Sequence, residues 1–226
     1  IRKVDPSIPF LAMAEQDDFY PSDRLSKQVA FLKQSPDIGL VSGIANWVSE
    51  GQVLGQFPGL LVRGEQYPLG QDMFLLNYRN QIKVVNSCML WRSDVVKKHK
   101  LAFREILGSV SVDWDFILQF SLVSAIAGLP KTLVYLDRSP HRNSVTTNIA
   151  QRNAAARALI NKWFSDRPDL ISKKDYLYAL NTQVLLELSA LGGFQFLFTW
   201  FFSFIKTPWD KRFLIHFRSR LFRFWS

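Results

Sequence analysis

The chain has a single cysteine, Cys88, in 226 residues. One thiol cannot close an internal disulfide, so a disulfide scaffold and a zinc–cysteine cluster are both excluded. The count fits a reducing compartment. There is no internal repeat and no low-complexity tract, which excludes solenoid and array architectures. No signal-peptide pattern occupies Ile1 to Phe10. Acids are fewer than bases, 19 against 28, for a net charge of +9. The excess is lopsided: from Lys206 to Ser226 six basic residues face one acid, Asp210, so this stretch carries +5 of the total. The remainder lacks the field of a nucleic-acid binder, and the tail interleaves Arg with Phe without a nucleic-acid motif. No nucleic-acid partner is expected.

Apolar residues are plentiful, at 48% against 21% charged, which suits a packed core and not a disordered chain. Phe10 to Met13 reads as a buried strand ending in Glu15-Gln16-Asp17-Asp18. Ser22 is the expected cap of a helix with Leu25, Val29 and Leu32 inward, stopped by Ser35-Pro36. Residues 38–47 read as a strand, 51–72 as an irregular loop, 72–78 as a short helix and 84–91 as a strand, with Ser93 or Asp94 capping the helix that follows. Residues 109–128 read as one helix with Phe116, Ile117, Phe120, Val123 and Ile126 apolar, stopped by Gly128 and Pro130. A strand over 132–136 and a polar loop over 137–148 follow.

Beyond that loop the chain reads as helical over 149–164 and 172–190. Leu188 to Ile205 has no charge over 18 residues and crowds seven aromatics into residues 194–204. At 1.5 Å per residue it would reach about 27 Å, so a spanning helix and an interfacial or re-entrant element are both open. After Pro208, apolar residues including Phe213 and Phe217 recur at helical spacing, with Arg218, Arg220 and Arg223 opposite. A basic amphipathic helix of this kind fits an anionic membrane surface, and a helix packed on the protein's own surface is the alternative.

Two acidic groups stand where chemistry is done. Three carboxylates in four residues, Glu15, Asp17 and Asp18, repel unless a cation sits between them. A hard divalent ion, Mg²⁺ or Mn²⁺, would suit them, and so would a plain solvated turn. Asp113 and Asp115 flank Trp114 at an expected helix start. There they serve as dipole-favoured first-turn acids, or as a general base beside an aromatic platform. The loop Arg138-Ser139-Pro140-His141-Arg142-Asn143-Ser144 could meet a diphosphate or a metal. Cys88 reads as a small core residue.

Taken in order, four segments resemble family 2 glycosyltransferases. "AEQDDFYPSDRLSKQVAFLKQSPDIGLVSG" resembles the aspartate-motif segment, and "VVNSCMLWRSDVVKKH" the acceptor-side strand and helix. "SVDWDFILQFSLVSAIAGLPKTLVYL" resembles the catalytic-aspartate helix, and "DRSPHRNSVT" the closing loop. The resemblance covers roughly residues 8–148. It implies an α/β fold: the C-terminal part of a GT-A, Rossmann-like nucleotide-diphospho-sugar transferase over 1–148. A helical membrane-associating region over 149–226 would follow.

The resemblance further implies roles by position. Asp17 matches the metal-binding acid of the Asp-X-Asp motif and Glu15 its first acid, here Glu in place of Asp. Asp113 matches the catalytic base. Asp18, Arg138 and His141 would face the donor diphosphate, His141 also the metal, and Trp114 and Asp115 the acceptor. The partners implied are a nucleotide-diphospho-sugar and a saccharide or lipid-linked acceptor; the basic tail adds an anionic membrane surface, expected at the cytoplasmic face. The Gln-X-X-Arg-Trp signature of processive synthases is absent, so inverting transfer of a single sugar in surface polysaccharide synthesis is expected. The opening nucleotide-binding units of the family do not precede Ile1. At about 30 residues per unit the resemblance implies that roughly 90 residues are missing. A non-catalytic membrane-surface module derived from such an enzyme is the alternative.

Overall fold

The computed structural model describes residues 5, 7–108, 110–139 and 148–224. The chain divides into two compact units, Ile1–Leu159 and Ile160–Ser226.

The first unit is a mixed sheet with helices. Its strands among the described residues are β1 (Phe10–Ala12), β2 (Ile38–Ser49), β3 (Gln52–Phe57), β4 (Leu90–Arg92) and β5 (Ala125–Asp137). Its helices are α1 (Arg24–Gln34), α2 (Gly59–Val62), α3 (Gly70–Asn80), α4 (Ser93–Lys98) and α5 (Val112–Ser121), and α6 (Ile149–Asp166) begins in it. β2 is central. Along one edge β5 runs parallel to it, from Ile38 opposite Ala125 to Val48 opposite Asp137. On the other edge β4 pairs antiparallel with its first half and β3 with its second. β1 joins the far side of β4, again antiparallel. β2 is buried continuously from Gly39 to Asn46, as an apolar strand with neighbours on both sides and both faces should be. Leu40, Met73, Met89, Trp91, Phe116 and Phe120 are in the main core.

Several sequence expectations differ from this architecture, among them the cap of α4, which is Arg92 and not Ser93 or Asp94. The helix expected over 109–128 ends at Ser121, and Ala125 to Leu129 opens β5 instead. A short apolar run carries no period that separates strand from buried helix; here parallel pairing with β2 decides it. Gly128 is therefore not a helix stop. A Cβ at that position would lie 2.3 Å from Leu61 Cδ2, so glycine is what lets α2 close on the strand. The loop expected over 51–72 contains β3 and α2. Ser49 pairs with Gln52 across a two-residue turn, and Glu50 and Gly51 take φ of 50° and 79°. Positive φ at both centre positions is what a twisted hairpin needs. The strand expected over 84–91 is only β4, preceded by a 3₁₀ turn at Asn86–Cys88. Finally, α1 starts at Arg24, and Asp23, not Ser22, is its N-cap residue. Its inward side carries Arg24 and Gln28 with Leu32, while Leu25 is exposed.

The second unit holds the end of α6, then α7 (Lys173–Ala190), α8 (Gly193–Lys206) and α9 (Arg212–Phe224). Ser172 and Asp175 form a reciprocal capping box at the start of α7. The uncharged run is not one helix: Leu188 ends inside α7, Leu191 and Gly192 are extended, and α8 has 14 residues. Among the described residues no helix is long and apolar enough to cross a membrane. The expected membrane face of α9 is also corrected. Phe213 is fully buried with Leu188 and Phe196, and Phe217 stacks on Trp200 at 4.4 Å between ring centroids. Arg220 donates to the carbonyls of Leu188, Ser189 and Leu191 at the end of α7. Those side chains are used internally because an apolar stripe is satisfied equally by lipid or by neighbouring helices. Arg218 is exposed, and the side chain of Arg223 lies outside the described residues.

Candidate functional site

β4 is antiparallel to both β1 and β2, so β1, β2 and β5 all run the same way. Their carboxyl ends share one side of the sheet, where open α/β sheets bind ligands. Glu15, Asp17 and Asp18 follow β1, Trp47 is near the end of β2, and Asp137 and Arg138 close β5. α5 leads by a three-residue connection into β5, so its first turn, with Asp113, returns to this side. These residues line a single cleft of about 360 Å³, together with Phe57, Ile82, Val84, Val85, Asn86, Ser87 and Leu136. That volume lies within the range of small-molecule sites, roughly 300–1,000 Å³.

The acidic turn is held on every side. The Met13 N–H donates to the Met89 carbonyl at 2.8 Å. Phe19 and Tyr135 exchange two backbone bonds, which fastens the turn to β5. The Glu15 N–H donates to the Tyr20 hydroxyl at 2.8 Å, and the Tyr20 ring carries the Arg24 guanidinium at 4.5 Å. Arg24 in turn donates to the Met13 carbonyl at 2.8 Å. Asn86 Nδ2 donates to Glu15 Oε1 at 2.8 Å.

One carboxylate oxygen from each of Glu15, Asp17 and Asp18 lies within 4.8 Å of the others. Burial and the neighbouring charge of Glu15 push the Asp18 carboxyl above its usual range, against a hydrogen bond from Ser87. An all-oxygen donor set this close suits Mg²⁺ or Mn²⁺. Asp113 is half-buried. Burial first, and then the charge of Glu15, raise its carboxyl, although the Trp114 N–H donates to its Oδ1 at 2.8 Å. A carboxylate so raised is a better proton acceptor than an exposed one.

Glu15, Asp17, Asp18, Asp113 and Arg138 thus meet in one cleft. Trp114 and Asp115 do not join them, which corrects their assignment to the acceptor. Successive residues of a helix turn by about 100°, so with Asp113 at the cleft its neighbours point elsewhere. Trp114 is 3% exposed and donates its indole N–H to the Asn77 carbonyl at 2.9 Å. Asp115 is 0% exposed and takes two bonds of 2.7 Å from Arg104 and another from Gln119. His141 lies outside the described residues. Cys88 is buried, its thiol pushed up to about 12, so it is an inert core residue.

Trp47, Phe57, Asn86 and Ser87 are among the cleft residues that the sequence did not single out. Trp47 and Phe57 stack with ring centroids 6.3 Å apart and form an apolar wall. Gly55 faces Trp47 across the hairpin, where a Cβ would approach the indole to 3.1 Å. Asn86 and Ser87 are in the 3₁₀ turn that was read as strand; two polar residues interrupting an apolar run were the available signal. Asn86 Oδ1 is a buried acceptor with no hydrogen-bond partner among the described residues.

No protein-family model matches this chain, and a search of curated proteins finds no match. Among solved structures it is similar to Staphylococcus aureus TarS. Against TarS 1–349 the TM-score is 0.44 at 15% identity, over 81% of this chain and 57% of that one. Against the same protein in complex with UDP-GlcNAc it is 0.44 at 13% identity, over 78% and 57%. Against a longer TarS structure it is 0.48 at 15% identity, over 80% and 29%. The chain spans less than two thirds of each, and the likeness is one of general backbone course alone.

Proposed function

We propose that the cleft transfers a sugar from a nucleotide-diphospho-sugar to the hydroxyl of a saccharide or lipid-linked acceptor. The observation that carries this reading is the convergence of Asp113, the Glu15–Asp17–Asp18 cluster and Arg138 on one cleft. Asp17 and Glu15, with Asp18, are the residues to hold a divalent cation, which when bound supplies charge neutralisation for the diphosphate. Arg138 offers charge-assisted donors to the same phosphates. Asp113 accepts the proton of the acceptor hydroxyl as its oxygen attacks the anomeric carbon from the face opposite the diphosphate. The carbon–oxygen bond to the diphosphate breaks as the new one forms, and the proton ends on Asp113. A single attack of this kind inverts the anomeric centre. The Trp47–Phe57 wall takes an apolar ring face of the sugar, while Asn86 and the carboxylates take its hydroxyls.

Thermal-shift measurement with Mn²⁺ and a panel of nucleoside diphosphates tests the binding half. A metal-dependent rise in Tm, lost in Asp17→Ala, is expected; no rise in the wild type overturns the reading. In a protein with measurable transfer, Asp113→Asn should abolish turnover and leave the nucleotide-dependent shift in place. Retained turnover would remove Asp113 from the role of base.

A further inference from the structure

The second unit exposes an apolar face that its own helices leave uncovered. On α8, Phe194, Leu197, Phe198, Phe201, Phe202 and Ile205 are all exposed, Phe194 at 78%. At about 100° per residue these six positions fall within an arc of roughly 140°, and Phe196, Trp200 and Phe204 turn to the opposite side, in the cluster with Phe213 and Phe217. The inward side is therefore satisfied, and the outward side is a separate, wholly apolar stripe. Past the helix, Trp209 is exposed as well, at 68%.

Charge identifies what covers it. Lys206 closes α8 and Lys211 follows it, both exposed. Asp210, the sole acid from residue 188 onward, is taken up by Arg212 at 2.9 and 2.6 Å and by Asn181 at 2.9 Å. The charges next to the stripe in the chain are thus basic, and the acid between them is paired. A second copy docking through this face would bring like charges together, whereas an anionic bilayer complements them. At 14 residues, about 21 Å long, α8 is too short to cross and long enough to lie flat.

We infer that α8 is an in-plane membrane anchor. Its Phe-rich stripe enters the boundary between headgroups and acyl chains of an anionic bilayer, and Lys206 and Lys211 meet the lipid phosphates. The anchor is separate from the transfer reading: it rests on the second unit alone and its test does not involve the cleft.

Co-sedimentation of the full chain with phosphatidylcholine–phosphatidylglycerol vesicles, compared with phosphatidylcholine alone, reads it out. The wild type should pellet with the anionic vesicles. Phe198→Glu with Phe202→Glu should weaken binding roughly tenfold or more, with far-ultraviolet circular dichroism unchanged. Phe198→Ser with Ile205→Ser provides the same comparison should the charged pair lose helicity. Lys206→Glu with Lys211→Glu should weaken binding to the anionic vesicles selectively. Leu54→Glu, in the first unit, should bind as wild type. Failure of the wild type to pellet, or pelleting unchanged by both α8 pairs, overturns the inference. So does a wild-type dimer in sedimentation velocity that the α8 substitutions dissociate, which would assign the stripe to a second copy of the chain.

Discussion

At the scale of single residues, the two ends of α5's first turn do opposite things with a carboxylate. Asp113 is left half-buried beside other acids, and burial with the charge of Glu15 raises its carboxyl above the unfolded value of 3.8. An acid raised on folding binds its proton more tightly in the native state. Its contribution to stability is complete below the unfolded value and is lost as pH rises through the native one. Asp113→Asn should therefore raise Tm at neutral pH, and the gain should vanish below about pH 3.8; thermal melts across pH check both halves. Asp115 is instead fully buried and paired with Arg104, which is 41% exposed on its side chain. Arg104→Ala leaves that carboxylate with Gln119 as its remaining named donor, and should cost about 2–4 kcal/mol in urea denaturation. The acidic cluster was legible in the sequence because three like charges in four residues demand a reason. The fate of Trp114 was not, because an aromatic beside an acid serves a cleft or a core equally well.

At the scale of elements, β5 shows where a linear reading stops. Residues 125–129 are apolar on every position, so no period marks them as strand. The parallel edge of β2 and the closeness of Leu61 to Gly128 settle their state. Gly128→Ala should push Leu61 out of its buried site and destabilise the first unit by about 1–3 kcal/mol, read from the denaturant midpoint. α8 and α9 show the same limit for helices. Each has an apolar stripe, and the Arg-flanked stripe of α9 looked the better membrane face. In the structure the α9 residues Phe213 and Phe217 are packed inside the unit, although Leu214 and Ile215 of the same helix are exposed, while α8 exposes six large apolar residues.

At the scale of the molecule, the two compact units are held by different means. The first is organised around a strand buried on both faces, the second around helix contacts to which Arg212 and Arg220 both contribute. Arg212 donates to Thr182 Oγ1 at 2.7 Å and the Tyr178 carbonyl at 3.2 Å, pairs with Asp210, and sits 3.5 Å over the Tyr178 ring. It joins α7 to the start of α9. Arg212→Ala should lower the stability of the second unit by about 2–4 kcal/mol. The Mn²⁺- and nucleotide-dependent shift of the first unit should persist. Calorimetry with and without ligand separates the two effects.

The amino-acid order alone was enough for the alternation of strands and helices around residues 10–47, for the acids that form the cleft's charged floor, and for the helical character after 149. These are local matters: charge density, capping residues and period are written in adjacent positions. Which apolar run became β5, which apolar side chains of α8 and α9 turned inward, and that Asp113 and not its neighbours reached the cleft were settled by contacts between distant segments. Backbone pairing with β2 and the rotation of α5 against α3 exist only once the chain has closed on itself, and no window of neighbouring residues contains them.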